Sequence, residues 1–168
     1  MRIAAHGLAL DNPVGWDARI RKYDEAAHAP KSAGLQFRAH AVLHAADFAL
    51  PEERGDFGSG VVEIMRPTQA FIALIEYHPD SASTALFSSN AGMPRQVSTD
   101  DFSPSQLQRT IRGQGGAQHF FAEGGRAFCL YLVLGSLANR GHAVPRLNAV
   151  LSAIDIEPRL PREWAEVV

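Results

Sequence analysis

Residues Ala117 to Gly135 constrain the fold more than any other stretch, because two apolar runs flank Glu123-Gly124-Gly125-Arg126. A two-residue hairpin loop needs positive φ at both central positions, which glycine adopts without strain, so this pattern predicts a β-hairpin. Counting outward from the loop sets the register. Glu123 lies opposite Arg126, Ala122 opposite Ala127, Phe121 opposite Phe128, Phe120 opposite Cys129 and His119 opposite Leu130. An opposite-charge pair at the mouth and an aromatic pair below it favour this pairing. On the second strand Phe128, Leu130, Leu132 and Leu134 share one side, and Ala127, Cys129, Tyr131 and Val133 the other. Both sides are apolar, which puts Arg126 to Leu134 at the centre of a sheet covered above and below.

Phe71 to Tyr77 is a second strand of the same kind, with Phe71, Ala73, Ile75 and Tyr77 on one face and Ile72, Leu74 and Glu76 on the other. Leu147, Val150, Leu151 and Ile154 recur at helical spacing behind Pro145, a residue tolerated at a first helical position, and Ile154 to Ile156 begins a last short strand. The run Leu35 to Leu50 satisfies two templates. Leu35, Phe37, Ala39, Ala41, Leu43 and Ala45 alternate with Gln36, Arg38, His40 and His44 as in a strand, whereas Leu35, Ala39, Val42, Leu43, Ala46 and Leu50 form a helical stripe. The strand is the preferred reading.

Elsewhere, Gly7 to Lys22 reads as two short strands around a turn at Asp11 to Gly15, and Val61 to Met65 as one or two helical turns. Ala85 to Phe87 reads as a short strand and Ser105 to Ile111 as a helix. Asp24 to Gly34 is a polar linker, and the polar, Gly- and Pro-rich segment Asn90 to Gly116 reads as mobile surface. These elements predict a single α+β domain over residues 1–168, an antiparallel β-sheet of about five to seven strands covered by helices as an α/β/α sandwich.

Composition narrows the function classes. A formal net charge of −2 lacks the basic excess of a nucleic-acid binder. The longest apolar run, Ala127 to Leu134, is far short of the roughly 20 residues that span a bilayer, so no membrane insertion is expected. Met1 to Gly7 is followed by no apolar stretch of signal-peptide length, which with a single cysteine favours the cytoplasm of a bacterium.

Reactive side chains are scattered. His40 and His44 have metal-ligand spacing if helical, with Asp47 as a third ligand and His78 beside them, the basis of an alternative reading as a small metal-dependent hydrolase. On a strand the two histidines stand about 13 Å apart, beyond any shared ion. Cys129 and His119 suggest a thiolate–imidazole pair, but the hairpin register puts them on opposite faces. Cys129 then reads as a buried apolar residue and His119 as a hydrogen-bonded core histidine. Asp56-Phe57-Gly58 matches the kinase magnesium triplet by letters without the loops that chemistry requires. Gly58-Ser59-Gly60 reads as a turn with Ser59 capping a helix, and Gly113-Gln114-Gly115-Gly116 lacks the lysine of a phosphate loop. Arg19 and Arg21 share a strand face as a modest solvated patch. Trp16 locks its turn onto the core, and Trp164 docks on the domain or a second subunit.

Gly7, Leu10, Pro13, Gly15 and Trp16 near the start, and Leu147 to Ile154 in the closing helix, resemble the corresponding ends of the PsbP-like superfamily. That resemblance implies an α/β/α sandwich on an antiparallel sheet and a role in binding or assembly; it transfers no functional residue. The expectation is a non-catalytic binding or accessory domain with a protein partner or self-association, calling for no cofactor and no metal. Self-association through Trp16 or Trp164 is a third reading.

Overall fold

The Gly124-Gly125 turn closes its hairpin in the expected register throughout. In the computed structural model, which describes residues 1–23 and 40–159, β6 (Gly115–Glu123) pairs with β7 (Arg126–Leu134) from Glu123↔Arg126 to Gly115↔Leu134. Both loop glycines have positive φ, 58° and 75°. Every residue of β7 is buried. β5 (Ala70–Tyr77) lies against its other side, then β4 (His40–Ala46) and β3 (Asp17–Tyr23), all antiparallel. The order is β3-β4-β5-β7-β6, so β5 is the middle strand and β7 its inner neighbour.

A second antiparallel sheet joins β1 (Arg2–Ala5), β2 (Leu8–Asp11) and β8 (Ile154–Ile156) in the order β1-β2-β8. The chain is therefore α+β, the eight strands among its described residues divided between two sheets. The two strands expected around the Asp11 to Gly15 turn do form, but they part company there: β2 stays in the small sheet and β3 starts the large one. Its partner β1, which precedes β2, carries no apolar alternation to announce it.

Each face of the large sheet has its own core. Leu43, Ile72, Leu74, Phe128, Leu130 and Leu132 pack on one side against Leu8 and Leu10 of β2, Ile154 of β8 and α2 (Arg140–Leu151). On the other side Val42, Phe71, Ala73, Cys129, Tyr131 and Val133 meet Leu50, Val61 and Val62, so loops and a short 3-10 turn at Val62–Ile64 form that cover. The preferred strand over the Leu35 to Leu50 run is observed as β4; residues 35–39 and the linker Asp24 to Gly34 lie outside the described residues. β4 is buried over Ala41 to Ala46 on both faces, not half-buried as its polar alternation suggests.

Four local expectations are corrected. Ala85–Ser88 is one helical turn, α1, not a strand: the Ser88 N–H donates to the Thr84 carbonyl (2.9 Å) and the Ser89 N–H to the Ala85 carbonyl (3.3 Å), and Phe87 alone of the four is buried. Ser105 to Ile111 holds a 3-10 turn at Pro104–Gln106 in place of a helix, begun by the Ser103 hydroxyl accepting from the Ser105 N–H. α2 starts five residues before Pro145, which sits inside the helix. The segment read as mobile surface contributes Met93, Val97 and Phe102 to the core, each over 90% buried.

Arg126 ties the sheets together. Its guanidinium donates to Glu76 Oε2 (2.5 Å) on β5, to the His6 and Gly7 carbonyls (3.1 and 2.9 Å) in the β1–β2 turn, and to the Glu157 carbonyl (3.0 Å) after β8. It also lies 5.1 Å from the Phe128 ring centroid. The expected Glu123–Arg126 ion pair is thus replaced by Arg126–Glu76: Glu76 accepts from Nε while the His6, Gly7 and Glu157 carbonyls take the Nη groups, so the buried guanidinium is both paired and hydrogen-bonded. Gly7 must be glycine here: its φ is 76° and a Cβ would stand 2.6 Å from the Arg126 Nη1.

Candidate functional site

The edge strand β6 is followed on its open side by the segment Ser89 to Pro94. Ala91 forms a parallel bridge with Ala122: the Ala122 N–H donates to the Asn90 carbonyl (3.1 Å) and the Gly92 N–H to the Ala122 carbonyl (2.8 Å). The Asn90 side-chain amide donates to the Phe120 carbonyl (3.2 Å), and Glu123 accepts from the Met93 N–H (3.1 Å). Glu123, released from Arg126, thereby pins this strap to the hairpin. Further along, Arg95 donates to the carbonyls of Leu151 and Ile154, placing a cation at the C-terminal end of α2 where the helix dipole favours it. Asn148 of α2 exchanges hydrogen bonds with both the N–H and C=O of Val97 (2.8 and 3.1 Å).

Between strap and strand lies a cavity of about 390 Å³ lined by Ser89 to Pro94 and His119 to Phe121. Beneath it Phe121 stacks on Phe128, with centroids 5.4 Å apart and 20° between the ring planes. On the reverse face Phe120 meets Phe87 edge-on at 5.7 Å. His119 is half-buried, and its Nε2 is enclosed with no hydrogen-bond partner among the described residues, where a core histidine bonded to a neighbour was expected. Burial lowers the His119 pKa and the charge of Asp101 partly opposes this, so the ring is held neutral. The His119 ring lines the cavity, while its Nε2 is enclosed by protein and spent on no partner among the described residues.

The other candidates do not converge on this cavity. His44 is fully buried on the face of Val42 and Ala46. Its Nδ1 accepts from the Arg54 Nε (2.9 Å), which leaves Nε2 to carry the hydrogen donated to the Asp56 carbonyl (2.8 Å). Burial, helped by the charges of Arg21 and Arg54, pushes its pKa down to about 3. Arg21 donates to Asp56 Oδ1 (2.6 Å) and to the Arg54 carbonyl (3.1 Å), so it is part of this network and not the solvated patch expected. Asp47 belongs to the opposite face, where it accepts from the Ala70 N–H (2.9 Å) and pairs with Arg146 of α2. His44 and Asp47, two of the three proposed ligands, therefore point to opposite sides of the sheet. His78 sits at the start of a 3-10 turn, where its Nδ1 accepts from the Asp80 N–H (3.2 Å). Among the described residues no three His, Cys, Asp or Glu side chains gather in a metal-binding group.

Cys129 is buried in the core opposite the His119 face, and burial pushes its thiol up to about 12. The Asp56-Phe57-Gly58 triplet is structural, with Asp56 paired to Arg21 and Phe57 packed edge-on against Tyr131 at 5.7 Å. Ser59 caps nothing; the Glu63 carboxylate accepts from the Gly60 N–H (2.7 Å), so the turn supplies its own anion. Gln114 is buried and donates to the Val62 carbonyl (2.8 Å). Trp16 packs on the core as expected, and Trp164 lies outside the described residues.

The chain matches no protein-family model, and neither the curated proteins nor the solved structures hold a match to it. The strap itself was missed in sequence reasoning. Asn90 and Gly92 are turn-forming residues, and nothing in their spacing announces that they will pair with a strand about 30 residues later.

Proposed function

We propose that this chain is a non-catalytic binding domain, an accessory or assembly component that holds its ligand in the cleft between Ser89–Pro94 and His119–Phe121. One observation carries the reading. His119 keeps an unpartnered nitrogen beside a cavity, while His44, Asp47 and Cys129 are each consumed by packing or hydrogen bonds elsewhere. A catalytic constellation needs a nucleophile, a base and an orienting group within hydrogen-bond reach; the cavity lining holds His119 and the Ser89 hydroxyl, which donates to the Ala85 carbonyl, and no carboxylate or second imidazole. The resemblance of both chain ends to the PsbP-like superfamily, whose characterised members act mainly by binding, favours the same reading, and the proposed place of action is the cytoplasm.

The test is an NMR titration of the labelled protein with N-acetylated amino-acid amides, small neutral probes that carry both hydrogen-bond donors and acceptors. Resonances of Asn90 to Met93 and His119 to Phe121 are expected to shift, and His119→Leu to abolish the response. Stoichiometric zinc, iron or manganese in the purified protein, lost in His44→Gln, would install the metal-hydrolase reading instead.

A further inference from the structure

Resting on that reading, we infer that the cleft takes an extended peptide of three to four residues, which adds a short strand to the open stretch of β6 and places one uncharged side chain beside His119. The argument starts from backbone alternation. In a two-residue hairpin the closing pair, Glu123 and Arg126, is hydrogen-bonded, so Phe121, His119 and Ala117 bond inward to β7. The N–H and C=O groups of Gly116, Gln118, Phe120 and Ala122 then point outward. The chain itself uses both ends of this row: Ala122 pairs with Asn90 and Gly92, and Gly116 exchanges two bonds with Ser103 (2.9 and 3.0 Å). Asn90 takes the Phe120 carbonyl. What remains is the Gln118 N–H, the Gln118 C=O and the Phe120 N–H, none with a partner among the described residues.

An unspent row of alternating donors and acceptors on a sheet edge is what strand addition requires. The length of the gap selects the occupant. Gly116 to Ala122 spans about 20 Å at 3.3 Å per residue, and its ends are occupied, which leaves room for a few extended residues. A full strand of a second copy would collide with the strap at one end and Ser103 at the other. Alternation also places the side chains. A residue opposite His119 projects to the His119 face, while its neighbours project toward Phe120 on the reverse face; the cavity at the rim of β6 is lined from both faces, by His119, Phe120 and Phe121. A neutral imidazole with an unpartnered nitrogen favours a hydroxyl or amide there over a charge.

The decisive experiment measures binding of a positional-scanning pool of capped tetrapeptides by fluorescence polarisation, together with amide hydrogen exchange in the bound state. The expected result is a preference for an uncharged hydrogen-bonding residue at one position and new protection of the Gln118 and Phe120 amides. Gln118→Pro deletes an outward N–H without losing an inward bond, and it should weaken binding about tenfold or more, whereas Gln118→Ala should stay close to wild type. Wild-type affinity in Gln118→Pro, or bound peptide that leaves both amides unprotected, overturns the inference. If Gln118→Pro does not fold, the exchange measurement on the wild-type protein decides alone. Amino-acid amides that shift cleft resonances while no tetrapeptide protects these amides leave the binding cleft standing and remove the peptide. Failure of both probes removes the cleft as well. Protection of the same amides by dimerisation without peptide would overturn the inference in favour of a second copy.

Discussion

Arg126 and His44 show how much a single buried polar side chain decides. Arg126 is 93% buried, and its ion pair with Glu76 and three carbonyl acceptors are all inside. Arg126→Ala leaves Glu76 without its charge partner, and urea denaturation should show a loss of about 3–5 kcal/mol. Arg126→Lys should recover only part of it, since an ammonium cannot reach four acceptors set for a planar fork. His44 governs acid stability. Its folded pKa of about 3 lies below the unfolded value of about 6.5, so between those pH values the unfolded chain binds a proton that the fold excludes. Stability from this residue is complete above pH 6.5 and is lost as pH falls, at up to about 1.4 kcal/mol per pH unit. Urea midpoints measured from pH 6 to pH 4.5 should therefore fall more steeply for the wild-type protein than for His44→Gln. Equal slopes would show that His44 protonates freely in place.

At the scale of elements, the hairpin and α2 make opposite predictions. Both loop glycines adopt positive φ, but their surroundings differ: a Cβ on Gly124 would stand 2.7 Å from the Pro158 backbone, and one on Gly125 only 3.9 Å from the Arg159 side chain. Gly124→Ala should cost about 1–3 kcal/mol in thermal or urea unfolding, while Gly125→Asn, a residue that tolerates this backbone, should cost well under 1 kcal/mol. Pro145 works the other way. It sits exposed inside α2 and cannot donate to the carbonyl four residues earlier, at Gly141. Pro145→Ala restores that donor and should raise stability by about 1–3 kcal/mol, read as a higher urea midpoint at unchanged slope. The helical spacing of Leu147, Val150 and Leu151 was legible in the sequence. The early start of α2 was not, because Ala143 and Val144 became core residues only by facing the sheet.

At the scale of the molecule, one five-stranded sheet carries two cores, and the small sheet and the strap are attached to it by few but directed bonds. Native-state hydrogen exchange should divide accordingly. Amides of β5 and β7, buried on both faces, should exchange only through global unfolding, and those of β1 and of the Asn90 to Gly92 strap through smaller openings. Removing the Asn148 side chain, which holds Val97 from both sides, should lower protection in the strap segment before it lowers protection in β7. Uniform exchange energies across all four regions would contradict this hierarchy.

Local chemistry in the sequence determined the hairpin, its register, the two dry faces of β7, the strand Phe71 to Tyr77 and the separation of Cys129 from His119, because glycine dihedrals and period-two alternation act within a few residues. Tertiary structure alone decided the rest. Glu76 displaced Glu123 as the partner of Arg126, His44 acquired its neutral tautomer from Arg54 and Asp56, and Met93, Val97 and Phe102 turned a polar segment into a core wall. The cleft belongs to this second group. It exists where Ser89 to Pro94 lie against His119 to Phe121, and contacts between residues about 30 positions apart have no local pattern from which to be read.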